Sequence, residues 1–268
     1  MPPWAVEVPK GFQICKRARK MNLRYSDEGW TPGSFIQKIQ NLKLSFQSLD
    51  DSPQDLLSIW RDLTQWVFTM PSLSSFSMSC PSLDGDFFSR AVATASSCEI
   101  QNLKLSFGSL DDSPQDLSSI WRDLVQWVFT MPRLSSFSMS CPSLDGDFFS
   151  KAVATASSCE IQDMKVLLGY WGRSSQDQSS IGGDLAQWLF TLPSLSSFSL
   201  DCPYLDGDFL STAIDSVSSC QLKVDSYDKD SFRWKITPQG FSNFRVNCFY
   251  LDGNVFKQAA ASASSCKA

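Results

Sequence analysis

Ile100-Gln-Asn-Leu103-Lys-Leu105-Ser-Phe107 opens a stretch that occurs twice almost unchanged, the same octet beginning earlier at Ile39. Residues 39–99 and 100–160 match at all but five positions, Gln47/Gly108, Leu57/Ser118, Thr64/Val125, Ser72/Arg133 and Arg90/Lys151. Residues 161–220 form a diverged third copy, and residues 221–266 a shortened fourth. A fixed period of this kind signals a repeat architecture, in which each unit buries its apolar face only against its neighbours. Function is then expected on a surface and not in an active-site cleft.

Each copy contains two shorter units. The long one runs from Ile100 to Arg133, the short one from Leu134 to Glu160. Both begin apolar-x-x-apolar-x-apolar, with a further apolar residue, Leu110 or Leu144, at the eleventh position. Leu103, Leu105 and Phe107 alternate with polar residues, as do Phe137, Met139 and Cys141, which is the period of a strand with one buried face. Eight such strands are expected, near Leu42, Phe76, Leu103, Phe137, Met164, Phe198, Leu222 and Phe244. Between them the period turns helical, with Leu117, Ile120, Leu124, Trp127 and Val128 on one face. Ser113 can cap that helix, Pro114 suits its first turn and Asp116 its positive end. Met131-Pro132 stops it. In the short unit Asp145-Gly146 makes a turn and Asp147 caps a helix that carries Phe148, Ala152 and Ala156 inward.

These units resemble leucine-rich repeats, and the alternation of two unit types, each with a full helix, is most similar to the ribonuclease-inhibitor-like class. The same class forms the C-terminal arm of NOD-like immune receptors. The resemblance covers residues 36–268 and implies an α/β solenoid, a horseshoe with a concave parallel sheet of about eight strands and convex helices. Residues 1–35 stand outside it as a basic N-terminal segment and a candidate partial cap. The resemblance also implies noncatalytic recognition of a protein on the concave face. In a NOD-like receptor that face belongs to the cytoplasmic, ligand-sensing arm of innate immunity. Three other roles stay open: an enzyme inhibitor, a ubiquitin-ligase adaptor, and a repeat fragment with no partner. An inhibitor of the ribonuclease-inhibitor kind would hold a basic target with acidic residues. No docking box for a ligase is visible before the repeats.

The outward residues of the expected strands form three columns. The middle one is Lys43, Ser77, Lys104, Ser138, Lys165, Ser199, Lys223, Arg245. The column before it is Asn41, Ser75, Asn102, Ser136, Asp163, Ser197, Gln221, Asn243. The column after it is Ser45, Ser79, Ser106, Ser140, Leu167, Asp201, Asp225, Asn247. Lysines on every second strand would make a basic ridge with cations about 10 Å apart. Such a ridge attracts an acidic protein partner. Repeat duplication explains Lys43 and Lys104 equally well, and explains Lys223 and Arg245 less well, because the fourth copy has diverged. Leu167, near Tyr170 and Trp171, is the candidate apolar contact. Tyr170 and Trp171 themselves suit packing over the adjacent helix.

Charge and composition narrow the partners. Residues 1–38 carry seven Lys/Arg against three Asp/Glu, which leaves the remainder with 16 against 25. An acidic arc argues against nonspecific nucleic-acid binding. Lys16-Arg17-Ala18-Arg19-Lys20 could serve nuclear entry, or could be an ordinary solvated cluster. No stretch approaches the ~18–20 apolar residues of a membrane span. The N-terminus lacks the charged start and apolar run of a secretory signal. Neither end shows a distinct cap pattern, which suggests a segment of a longer array.

Catalytic and metal signatures are sparse. The chain has no histidine, the commonest general base, and no phosphate-binding glycine loop. No enzyme activity and no cofactor are expected. Cys80, Cys141, Cys202 and Cys248 are expected to end strands, and Cys98, Cys159, Cys220 and Cys266 to end helices. Strand cysteines two strands apart would stand about 10 Å from one another, beyond the ~7 Å reach of a disulfide. They are expected to be small buried hydrophobes in a reducing compartment. The Leu-Asp-Gly-Asp elements at Leu83, Leu144 and Leu205 suit a turn followed by a helix cap better than a calcium loop.

Overall fold

The structure, a computed structural model, describes residues 20–25, 39–45, 67, 70–80, 88, 91–93, 99–108, 114–144, 148, 152, 160–171, 184–189, 192–205, 209, 220–228, 231–238 and 242–251. The chain divides into two compact units, Met1–Leu134 and Ser135–Ala268. The first holds β1 (Lys20–Tyr25), β2 (Ile39–Ser45), β3 (Ser75–Cys80), β4 (Asn102–Phe107) and the helix α1 (Pro114–Thr130). The second holds β5 (Ser136–Leu144), β6 (Asp163–Trp171), β7 (Ser197–Leu205), β8 (Cys220–Asp228), β9 (Ser231–Pro238) and β10 (Asn243–Leu251). Residues 184–189 of the second unit are also helical.

In the first unit β2, β3 and β4 run parallel in sequence order. Parallel neighbours cannot be joined by a tight turn and need a long crossover, which the long and the short repeat unit both supply. In the second unit the order is β5-β6-β7-β10-β9-β8, and β5, β6, β7 and β10 are parallel. The fold is α/β with open parallel sheet, compatible with a solenoid-like arrangement.

Register follows the repeat. Leu42, Phe76 and Leu103 align across the first unit, as do Leu44, Met78 and Leu105. Phe137, Met164 and Phe198 align across the second, as do Met139, Val166, Leu200 and Val246. All of these residues are buried. A shift of one residue would turn each apolar set out to water, so burial holds the register. Serine extends the ladder one step before several strands. The Ser74 N–H and Oγ–H both donate to the Gln40 carbonyl, at 3.0 and 3.2 Å. Ser196 does the same to Gln162 at 2.9 and 3.3 Å, and Ser242 to Ser196 at 2.7 and 3.0 Å.

Helix α1 begins at Pro114 and ends at Thr130, before Met131-Pro132. The Thr130 hydroxyl donates back to the Gln126 carbonyl in the last turn, at 2.6 Å. A tight final bond from the Met131 N–H to the Val128 carbonyl, at 3.4 Å, recurs one repeat period to either side, at Met70/Val67 and Leu192/Leu189. Ile120, Leu124, Trp127 and Val128 are buried as their spacing requires. Trp121, Val125 and Phe129 are buried too, so the helix hides more than a single stripe. Trp127 packs against Phe88 at 5.9 Å, and Phe88 meets Phe107 edge-on at 6.2 Å. In the second unit Phe148, the repeat counterpart of Phe87, meets Trp188 edge-on at 6.1 Å. Ala152 is buried, while Ala156 and the Asp-Gly-Asp turns lie outside the described residues.

The fourth copy departs from the expectation of eight equivalent strands. The strand at Leu222 exists as β8, but it pairs antiparallel with β9, which pairs antiparallel with β10. The next position of the parallel ladder is instead taken by β10, seated directly on β7. Chain length explains the change. The stretch from Leu222 to Phe244 is much shorter than the corresponding stretch from Met164 to Phe198. Within it Phe232, Trp234 and Ile236 alternate with polar residues, a strand pattern where the second and third copies carry helix. At the other end β1 runs antiparallel along β2. The candidate cap at residues 1–35 thus contributes a strand, Lys20–Tyr25, on the outer edge of β2.

The cysteine geometry changes with it. Cys80, Cys141 and Cys202 are buried thiols at strand positions. Cys80 aligns with Phe107 and Cys141 with Leu168, so a bulky residue flanks each thiol. Cys202 and Cys248 are in register on adjacent strands, not two strands apart as expected, because β10 follows β7 directly. The Cys202 thiol donates to the Asn247 carbonyl at 3.8 Å. Cys220 begins a strand and does not end a helix. Cys98, Cys159 and Cys266 lie outside the described residues.

Two outcomes follow from this packing. Trp127→Ala removes a fully buried ring from the Phe88 contact and should destabilise the chain by about 3–5 kcal/mol, read as a lower urea midpoint. Burial holds the Asp184 carboxyl above its ordinary pKa. Gly183 precedes it, where Arg122 precedes Asp123 and donates to it at 3.2 Å. With the folded pKa raised, the folded state keeps its proton longer than the unfolded state does. Stability therefore falls as pH rises from the ordinary carboxylate pKa through the raised one. Asp184→Asn should remove that decline, with equal or greater stability at neutral pH, when urea midpoints of the two proteins are compared across acidic pH.

Candidate protein-binding face

Because strand residues alternate, everything between the buried columns faces the other side of the sheet. In the first unit this side is formed by Asn41, Lys43 and Ser45 on β2, Ser75, Ser77 and Ser79 on β3, and Asn102, Lys104 and Ser106 on β4. Lys43 and Lys104 are exposed, and the three β3 serines are half-buried between them. No Asp or Glu occurs on β2, β3 or β4. Strand β1 continues the same register, with Asn22 opposite Lys43, Lys20 opposite Ser45 and Arg24 opposite Asn41. These positions were hidden in the sequence because residues 1–38 carry no repeat from which to set their register.

In the second unit the middle column runs Ser138, Lys165, Ser199, Arg245. The expected row ended Ser199, Lys223, Arg245. The order changes: Arg245 follows Ser199 directly, and Lys223, in register with Lys235, comes two strands after it, because β8 lies two strands beyond β10. Cation and serine therefore alternate from Ser138 to Arg245. Lys235 lies one step along the register from the Trp234/Val246 pair, at the position opposite Arg245, and the sequence pattern alone had not singled it out.

Acidic and apolar groups interrupt the second face. Asp163 is exposed two residues before Lys165. Leu167 is a large apolar side chain with 41% exposure, in register with Asp201 and Ser140. The Asn247 side chain ties two charges together. Its Nδ2 donates to the Asp201 carboxylate on the neighbouring strand, and its Oδ1 accepts from Arg245 Nε at 3.3 Å. Arg245 is thereby held in place and Asp201 is partly satisfied, so this end of the face presents mixed charge around an apolar centre.

Tyr170 and Trp171 end β6, in register with Ser143 and Leu144. Residues 16–19 of the basic cluster lie outside the described residues. Among the described residues no group of three His, Cys, Asp or Glu could hold a metal ion. No described helix is long and apolar enough to cross a membrane. In comparisons with known proteins, no family model matches the chain and no curated protein matches it in sequence.

Leu167 leaves 41% of its surface exposed and stands outside the buried columns, so Leu167→Ser should lower stability by no more than about 1 kcal/mol. Thermal denaturation of the two proteins side by side tests this. A larger loss would mean that Leu167 belongs to the core and is not available to a partner.

Proposed function

We propose that this chain is a leucine-rich-repeat protein of the ribonuclease-inhibitor-like class that binds an acidic protein without catalysis. Binding uses the outward side of its parallel strands, the concave face of a horseshoe. The observation that carries this is the alternation of cation and serine in register: Lys43-Ser77-Lys104 in one unit and Lys165-Ser199-Arg245 in the other. Exposed cations on an acidic protein raise the encounter rate with an acidic partner and orient it. Leu167 adds one apolar contact. The role closest to this architecture is the ligand-sensing arm of a cytoplasmic NOD-like receptor. An inhibitor of a basic enzyme ranks lower, because strands β2, β3 and β4 carry no carboxylate.

The test compares three proteins for capture of a partner from source tissue, followed by reconstitution with the purified partner. One is the wild-type chain. The second carries Lys43→Glu, Lys104→Glu, Lys165→Glu and Arg245→Glu. The third carries Arg122→Glu alone, an exposed cation on α1 and off the strands. A partner held by the first and third, and about tenfold or more weaker on a folded second, is expected, with affinity that falls as salt rises. Equal capture by the fourfold variant would overturn the reading.

A further inference from the structure

The two faces differ in a way that specifies the acid. On β3 the outward residues Ser75, Ser77 and Ser79 form a low row, with Lys43 on one side and Lys104 on the other. Two strand spacings, about 9.6 Å, separate the lysine backbones, and Ser77 lies midway. Flexible four-carbon stems allow both ammonium groups to lean over the serine row. The result is a cradle made of donors: two ammonium groups and the Ser77 hydroxyl, with Asn41 and Asn102 at its ends. No strand residue of β2, β3 or β4 supplies a carboxylate to compete.

A single carboxylate offers one negative charge and would leave one ammonium uncompensated. A phosphate monoester carries about −1.5 to −2 at neutral pH and three acceptor oxygens, which match two cations and three donors. The second unit serves as an internal contrast. Ser199 also lies between two cations, Lys165 and Arg245, but Asp163 and Asp201 flank that row, and Arg245 is already engaged by Asn247. A dianion there would meet like charge.

We propose that the Lys43-Ser77-Lys104 row of the first unit is a phosphate-binding site for a phosphorylated side chain on the partner protein. This rests on the acidic-partner reading above and sharpens it. The site is open, so its affinity is salt-sensitive, and the rest of the partner supplies the remaining contacts.

The experiment uses the full chain at low salt and a labelled neutral peptide carrying one phosphoserine, beside the same peptide with Glu or Ser at that position. The phosphoserine peptide should bind about tenfold tighter than the Glu peptide. Lys43→Gln and Lys104→Gln should each remove most of that preference, and Arg122→Gln, on α1 and off the strands, should leave it. Equal binding of phosphoserine and Glu peptides would overturn the phosphate assignment and leave the acidic-partner reading standing. Absence of binding by both would overturn both. A preference that survives Lys43→Gln and Lys104→Gln would place the phosphate elsewhere and overturn the site.

Discussion

A parallel strand cannot satisfy its own backbone, and every other feature of this protein follows from that need. Each strand takes its hydrogen bonds from the strands on either side of it. Each crossover between them must be long enough to return the chain to the same end. Identical units meet both demands at once, and the apolar columns lock them in register. Leu42, Phe76 and Leu103 stand in one row because a slip by one residue would expose all three. The serine clamps at Ser74, Ser196 and Ser242 continue the same ladder beyond the strands, with two donors on one carbonyl each time.

An open ladder has ends, and an exposed edge invites pairing with another chain. In the first unit β1 lies antiparallel along β2, and in the second β9 lies antiparallel along β10. The β9 strand is made from sequence that in earlier copies belonged to the crossover. Shortening the fourth copy therefore has three linked effects. It converts a helix-bearing unit into a hairpin, seats Arg245 and not Lys223 beside Ser199, and brings Cys248 into register with Cys202.

The repeat also sets the chemistry of the outward face. Copying a unit copies its outward residues, so one lysine becomes a row of cations on alternate strands. Divergence then acts on individual columns. The first unit keeps a face of donors, whereas the second has gained Asp163, Asp201 and an exposed Leu167. The Asp201-Asn247-Arg245 chain shows the consequence: charges that would attract a partner are engaged with one another.

The sequence alone determined the unit, its strands and the limits of α1. It also determined which residues alternate inward, because each of these is a local or periodic property. From spacing alone Phe76, Leu103, Trp127 and Phe148 were legible as core, and within each unit the pairs Lys43 and Lys104, and Lys165 and Arg245, as aligned outward residues. Strand neighbours were legible only where the period held. Tertiary structure decided that β10 and not β8 pairs with β7, and that Lys20–Tyr25 joins the sheet. It also decided that Trp121, Val125 and Phe129 are buried as well. The physical reason is common to all three. Pairing partners and depth of burial depend on what packs alongside, and a segment without a repeat carries no internal reference for its neighbour.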